Sequence, residues 1–159
     1  RSGHNIDPTM IENAMSTHPA VALAAAVGMP DAYAGELPMC FVQLHPDSTV
    51  TIDELMEHAR TTIDERPAWP KIIQPIEAIP LTSVGKIYKP SLRCSAAQTV
   101  VETLIHDHIG LNDANVEVAT GGPRGLCVTV TIKDADKASV SPLEKALHQF
   151  LFEAQVKTA

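Results

Sequence analysis

The sequence predicts an α+β protein: a two-layer domain with a small three-stranded sheet packed with helices, followed by an appended α-β-β-α unit. Short apolar runs of strand length alternate with segments of helical periodicity, and clusters of Gly, Pro and Asp separate them. Later in the chain, apolar and polar residues alternate strictly, which is typical of a half-buried hairpin. We therefore expect two parts, residues 1–93 and residues 94–159.

The first predicted element is a helix near the start of the chain. Asp7 has the character of an N-cap and Pro8 that of a first helical residue. Ile11, Ala14 and Met15 follow at helical spacing and form one apolar face.

Three strands are predicted for the sheet of the first part. Residues 21–28 form an apolar run of strand length, and residues 39–44 form a second one. Residues 31–38 between them contain Gly and Pro and are predicted to be a loop. Residues 71–76 give a third, shorter strand.

A second helix is predicted over residues 51–64, because Thr51 and Glu54 have the spacing of a capping box. The apolar residues that follow recur at helical spacing: Ile52, Leu55, Met56, Ala59 and Ile63. A third helix is expected to begin near Pro90 and to stop at Gly110.

The appended unit continues with a predicted hairpin of residues 115–120 and 126–132, joined by the glycine-rich loop 121–125. Ser141 and Glu144 repeat the capping-box spacing and predict a final helix. Its apolar face would consist of Leu143, Leu147, Phe150 and Leu151.

Composition excludes several classes of protein. With 45% hydrophobic and 19% charged residues, the chain is not expected to be disordered. Its formal net charge of -7 argues against a nucleic-acid partner. No apolar run reaches the ~18 residues of a membrane span. The three cysteines are odd in number and far apart, which favours reduced thiols and a cytoplasmic location.

The segment 79–93 carries the clearest chemical signal. Gly85 lets the backbone turn tightly, and Lys86 after it is a cation on a long, mobile stem. Chemistry that builds negative charge, such as adenylyl transfer, uses a cation in that way. Spacing alone leaves a second interpretation open, in which Lys86 is a solvated loop lysine.

This segment resembles the last core motif of the adenylate-forming superfamily, which includes acyl-CoA synthetases, luciferases and peptide-synthetase adenylation domains. The matching residues are Pro80, Gly85, Lys86, Ile87, Lys89, Leu92 and Arg93. The resemblance implies that Lys86 is catalytic and contacts the acyl carboxylate and phosphate as the acyl-adenylate forms.

The beginning of the chain is similar to a second motif of the same family, with Ser2, His4 and Met10 departing from its pattern. The resemblance implies that the loop containing Gly3, His4 and Asn5 contacts coenzyme A. A polar loop residue without a ligand is an equally good interpretation of His4.

Two further segments resemble family motifs. Residues 28–36 match a third one, in which Asp31 and Glu36 are interpreted as loop-ordering residues. Pro70-Lys71 matches a fourth, which implies that Lys71 lies near a phosphate of coenzyme A and that Trp69 either stacks on adenine or belongs to the core.

Together these matches identify residues 1–93 as the C-terminal lid domain of an AMP-forming acyl-CoA synthetase, an enzyme class placed in fatty acid metabolism. The implied substrates of the full enzyme are ATP, a carboxylic acid and coenzyme A, and Mg²⁺ is expected with ATP in a larger N-terminal domain. That domain is the implied partner, and the isolated chain should be inactive. The resemblance also implies a lysine acetyltransferase acting on Lys86. The acid itself cannot be inferred from this chain.

Alternatives remain open at this point. The chain is either this lid or a non-catalytic ferredoxin-like module that binds a small molecule or a partner. Within the superfamily, luciferase or peptide-synthetase chemistry is a further alternative. Residues 94–159 extend the sheet, brace the lid or support a homodimer. No metal site is predicted, because His106 and His108 are two residues apart and do not share a helix face.

Overall fold

The computed structural model describes residues 5–159, which form two compact units. The first consists of residues 5–29 and 36–92, and the second of residues 30–35 and 93–159. Each unit has its own three-stranded sheet and its own apolar core. The architecture is α+β, as predicted.

The first sheet contains β1 (Val21–Asp31), β2 (Gly35–Leu44) and β3 (Ile72–Pro75) in the order β1-β2-β3. β2 and β3 are parallel, with Met39 opposite Ile72. A parallel pair needs a crossover, and the chain supplies one that contains a helix.

The predicted loop over residues 31–38 is wrong in extent, because β2 already begins at Gly35. The turn closes within three residues because Asp31 Oδ2 accepts the backbone N–H groups of Tyr33 at 3.0 Å and Ala34 at 2.7 Å. Gly35, at φ 83°, then returns the chain to the sheet. The interpretation of Asp31 as a loop-ordering residue is thereby confirmed.

Two helices of the first unit follow the predicted caps. In α1 (Pro8–Ser16), Asp7 accepts a hydrogen bond from the backbone of Thr9. In α2 (Ile52–Thr62), Thr51 and Glu54 form both bonds of a capping box. The core of the unit joins both helices to the sheet, and its buried members include Ile11, Met15, Ala24, Cys40, Val42, Leu55, Ala59 and Ile73.

The remaining elements begin with α3 (Lys89–Leu104), which a single π-helical turn (Ile105–Ile109) extends to Gly110 in the left-handed conformation. β4 (Asn115–Thr120), β5 (Leu126–Ile132), α4 (Val140–Leu147) and β6 (Glu153–Thr158) complete the chain. β4 and β5 form the predicted antiparallel hairpin, and β5 pairs in parallel with β6. The core of this unit includes Val101, Val128, Val130, Ile132, Leu143, Leu147, Phe150 and Phe152.

The end of the chain differs from the prediction in two ways. The predicted capping box does not form, because a 3₁₀ turn precedes α4 and places Ser141 inside the helix. The helix also stops at Leu147, so Phe150 and Leu151 lie beyond it, and β6 adds a strand that the α-β-β-α pattern lacks. Across the residues that the structure describes, no helix has the length and apolar character needed to cross a membrane.

Candidate functional site

Lys86 lies on a tight turn with a defined internal structure. A bridge between Leu81 and Ile87 closes its base. Inside it, Thr82 N–H donates to the carbonyl of Lys86 at 2.6 Å, and Lys86 N–H donates to Thr82 Oγ1 at 3.1 Å. Gly85 N–H donates to the carbonyl of Thr82 at 2.9 Å. The segment is therefore a preorganised hairpin turn, which we call the Lys86 turn (residues 80–88), and not a loose loop.

The sequence of the Lys86 turn explains its shape. Gly85 has φ 80°, a conformation that costs other residues strain, so glycine is the residue suited to this position. Lys86 is exposed. Three large apolar side chains around it are also exposed, by 53% for Leu81, 77% for Val84 and 47% for Tyr88. Apolar exposure of this extent in one short segment is typical of a surface that meets a partner.

The two ends of the Lys86 turn are fixed to the rest of the first unit. On the upstream side, Ile79 N–H donates to Gln43 Oε1 at 2.9 Å. On the downstream side, Lys89 Nζ lies 3.2 Å from Glu12 Oε2, and the same oxygen accepts Ala26 N–H at 3.2 Å. The ion pair is partly buried, with the side chains exposed by 24% and 16%. Lys89, a residue of the motif, is therefore engaged with α1 in this structure.

Cys40 lies near this ion pair, and its thiol has low reactivity. Burial raises the pKa of its thiol to about 12, with a smaller contribution from the carboxylate of Glu12. A protonated, buried thiol is a poor nucleophile. Cys94 and Cys127 are partly buried, and all three cysteines are unpaired, as expected for reduced thiols.

A second feature of the first unit is a groove of about 430 Å³, which we call the basic groove. The residues that line it are Met56, Ala59, Arg60, Arg66, Trp69, Pro70 and Lys71. The guanidinium carbon of Arg66 lies 5.5 Å from the centroid of the Trp69 ring. The structure thus brings Lys71 together with Arg60 and Arg66, two residues that no motif of the sequence analysis includes.

The other residues implied by the family resemblance fall in different places. Asn5 is exposed just before α1, whereas Gly3 and His4 lie outside the described residues.

His106 Nδ1 is hydrogen-bonded to the adjacent Asp107 at 2.9 Å. Within residues 5–159, no group of three His, Cys, Asp or Glu side chains is arranged to hold a metal ion.

Comparisons with known proteins support the family resemblance found in the sequence. Residues 10–86 match the sequence model of the AMP-binding enzyme C-terminal domain. The chain is 35% identical over 156 residues to a marinolic acid–CoA ligase of Pseudoalteromonas sp., covering 96% of this chain and 24% of that protein. It is 34% identical over 151 residues to an acetyl-coenzyme A synthetase of Pyrobaculum arsenaticum, covering 93% and 18%. The chain therefore spans a quarter or less of the length of these curated relatives.

A solved structure gives the same result. The crystal structure of an acyl-CoA synthetase from Brucella canis superposes with a TM-score of 0.57 at 34% identity, covering 62% of this chain and 19% of that one. The two sequence relatives align with nearly the whole chain, including most of residues 94–159. On the matched segment and the shared fold, residues 10–86 belong to the AMP-binding enzyme C-terminal domain family.

Proposed function

We propose that this chain is the C-terminal domain of an enzyme that joins a carboxylic acid to coenzyme A with ATP, and that it supplies the adenylation lysine and part of the coenzyme A site. The observation that carries the proposal is the exposed position of Lys86 at the tip of a rigid, glycine-preceded turn in a family of AMP-binding enzymes. The larger domain is the proposed partner of this one. We also propose, as the family resemblance implies, that both domains act in the cytoplasm and in fatty acid metabolism.

The proposed reaction has two steps. In the first, the carboxylate oxygen attacks the α-phosphorus of ATP, the bond to the β-phosphate oxygen breaks, and pyrophosphate leaves. The ammonium of Lys86 stabilises the negative charge that develops on the reacting oxygens. In the second, the coenzyme A thiol loses its proton and attacks the acyl carbon, and AMP leaves as the thioester forms.

Mg²⁺ is proposed to accompany ATP in the larger domain. The described residues provide no cluster that could hold it, so no step is assigned to a metal in this chain.

The basic groove supports an assignment for coenzyme A. Its three cations, Arg60, Arg66 and Lys71, are exposed and suited to bind the phosphates of the nucleotide end. The guanidinium of Arg66 lies near the ring of Trp69, and the Trp69 Nε1–H donates to the carbonyl of Ile63 at 2.9 Å. We therefore assign phosphate binding to the cations and give Trp69 the role of orienting Arg66. The loop containing Gly3, His4 and Asn5 is proposed, from the family resemblance, to line the thiol end of the path.

The experiment that tests the proposal separates the two steps in the full-length enzyme. Lys86→Ala should reduce pyrophosphate exchange by about 10²-fold or more, since one preorganised charge contact is removed where charge develops. Thioester formation from supplied acyl-adenylate should be much less affected. An equal loss in both steps, or no loss in the first, would contradict the assignment of Lys86. Regulation by acetylation of Lys86 is proposed on the same grounds.

A further inference from the structure

The Lys86 turn is rigid inside, yet its internal bonds do not fix its direction relative to the sheet of the first unit. Thr82 and Gly85 set the shape of the turn, and the bridge between Leu81 and Ile87 closes its base. A side chain that must reach a phosphate in another domain also requires that the turn carrying it be held in place, because small displacements of a reacting group lower the reaction rate. The bonds at the two ends of the turn therefore matter for the lysine.

The upstream end is held by a side chain of the sheet. Gln43 lies on β2 directly after the buried Val42, and its Oε1 accepts the backbone N–H of Ile79 at 2.9 Å. Ile79 is only 4% exposed, so this N–H has little access to water. Loss of the acceptor would leave a buried donor unpaired, which drives a local shift of the chain. The two residues are 36 positions apart, so the bond is a tertiary anchor.

The downstream end of the turn is held by an ion pair. Lys89 begins α3, three residues after Lys86, and its ammonium lies 3.2 Å from Glu12 Oε2 on α1. That oxygen also accepts Ala26 N–H from β1. The carboxylate is therefore bonded from two sides, and its position does not depend on Lys89. Because the pair is partly buried, its attraction is screened less than that of a surface pair.

We propose that Gln43 and Glu12 are positioning residues for Lys86, which hold the upstream and downstream ends of its turn and so fix the direction in which the lysine points. Neither residue touches substrate in this scheme; Gln43 acts through the backbone of Ile79, and Glu12 acts through the side chain of Lys89. The inference rests on the proposed role of Lys86 in adenylation.

Gln43→Leu in the full-length enzyme tests the upstream anchor. The variant keeps the side-chain volume but removes the acceptor. We expect pyrophosphate exchange to fall by about 10- to 100-fold, the usual effect of misplacing a reacting group. The loss should exceed any loss in thioester formation at least tenfold, with the KM for ATP little changed. Gln43→Glu, which retains an acceptor oxygen, should recover most of the rate. Gln74→Leu, on the neighbouring strand β3, is the matched control.

The downstream anchor is tested through Lys89, because changing Glu12 would also remove the bond to Ala26. Lys89→Met should impair adenylation in the same selective way, and Lys89→Arg should restore it. Thermal unfolding of each variant is measured first. If Gln43→Leu does not fold, the comparison of Lys89→Met with Lys89→Arg decides the inference.

The decisive measurement places these variants in a Lys86→Ala background. If the anchors act through Lys86, Gln43→Leu and Lys89→Met should cause no further loss of adenylation there. The inference is overturned if folded Gln43→Leu and Lys89→Met adenylate at the wild-type rate. It is equally overturned if they reduce the adenylation rate by the same factor in the wild-type and the Lys86→Ala backgrounds. Wild-type adenylation by Lys86→Ala alone would instead defeat the proposed function, so the two failures are distinguishable.

Discussion

The guanidinium carbon of Arg66 lies 5.5 Å from the centroid of the Trp69 ring, and Trp69 is itself fixed by a 2.9 Å hydrogen bond from Nε1 to the carbonyl of Ile63. A cation over an aromatic face gains about 0.5–1 kcal/mol at an exposed site. This is enough to favour one arrangement of a long, exposed side chain. The indole therefore orients Arg66 along the basic groove, where Lys71 also lies.

This relationship predicts the effect of Arg66→Met in the full-length enzyme. Removing one of the proposed phosphate contacts should raise the KM for coenzyme A about tenfold, equivalent to ~1.4 kcal/mol. Pyrophosphate exchange, which needs no coenzyme A, should be unchanged. Steady-state kinetics at varied coenzyme A measures this, and the ratio to wild type should shrink at high salt. Arg124→Met, in the exposed 121–125 loop, is the control, and an equal effect there would contradict a specific site.

Cys40 provides a prediction about reactivity. Burial, aided by Glu12, raises the pKa of its thiol to about 12, so the reactive thiolate is nearly absent at neutral pH. We expect Cys40 to be alkylated at least 100-fold more slowly than a free thiol at pH 8, and to become reactive only when the first unit unfolds. Iodoacetamide labelling followed by peptide mass spectrometry measures the rate at each cysteine. Fast labelling of Cys40 in folded protein would show that the packing around β2 is wrong.

The strand β6 is an element that the local sequence pattern does not predict. Its sequence, Glu153–Thr158, offers only Ala154 and Val156 as apolar residues, both partly buried, while its other positions are mainly exposed. A polar strand at the end of a chain carries little hydrophobic signal, so the sequence pattern predicts no strand there. β6 is placed instead by pairing in parallel with β5.

This placement predicts a difference between neighbouring positions. Val156→Asp should destabilise the 159-residue chain by about 2 kcal/mol, because the carboxylate would face the core of the second unit. Gln155→Asp, at the adjacent exposed position, should change the free energy of unfolding by less than ~0.5 kcal/mol. Urea unfolding followed by circular dichroism measures both. Equal effects at the two positions would argue against an alternating strand.

The rest of the fold shows where local patterns suffice. Asp7 and the Thr51–Glu54 capping box act within a few residues of chain, and both form as predicted. The same box at Ser141 fails because its outcome depends on the 3₁₀ turn before it.

At the site, Lys86 could be selected from its motif, whereas its anchors could not. Gln43 and Ile79 are far apart in the chain, and only the folded sheet brings them together. For the same reason the motif that contains Lys71 does not reveal the groove that joins it to Arg60 and Arg66.

The last prediction concerns acetylation of Lys86. The side chain is exposed at the tip of its turn, so a modifying enzyme can reach it in this structure. Acetylation removes the positive charge and adds bulk, and both changes act against stabilisation of a developing anion. The internal hydrogen bonds of the turn use backbone groups and the hydroxyl of Thr82, and none of them uses the ammonium of Lys86, so the modified turn should keep its shape. The expected result is therefore a loss of chemistry without a loss of folding.

The test installs acetyl-lysine at position 86 alone in the full-length enzyme. Pyrophosphate exchange should fall by about 10²-fold and return to the wild-type rate after treatment with a deacetylase. Thermal unfolding should be unchanged by the modification. Acetyl-lysine at position 133 is the matched control: Lys133 is exposed and its ammonium is engaged by Asp113 in the second unit, outside the Lys86 turn. Its acetylation should leave adenylation intact. Full adenylation with acetyl-lysine at 86 would refute both the switch and the catalytic role of the lysine, because the contact that defines that role requires the charge that acetylation removes.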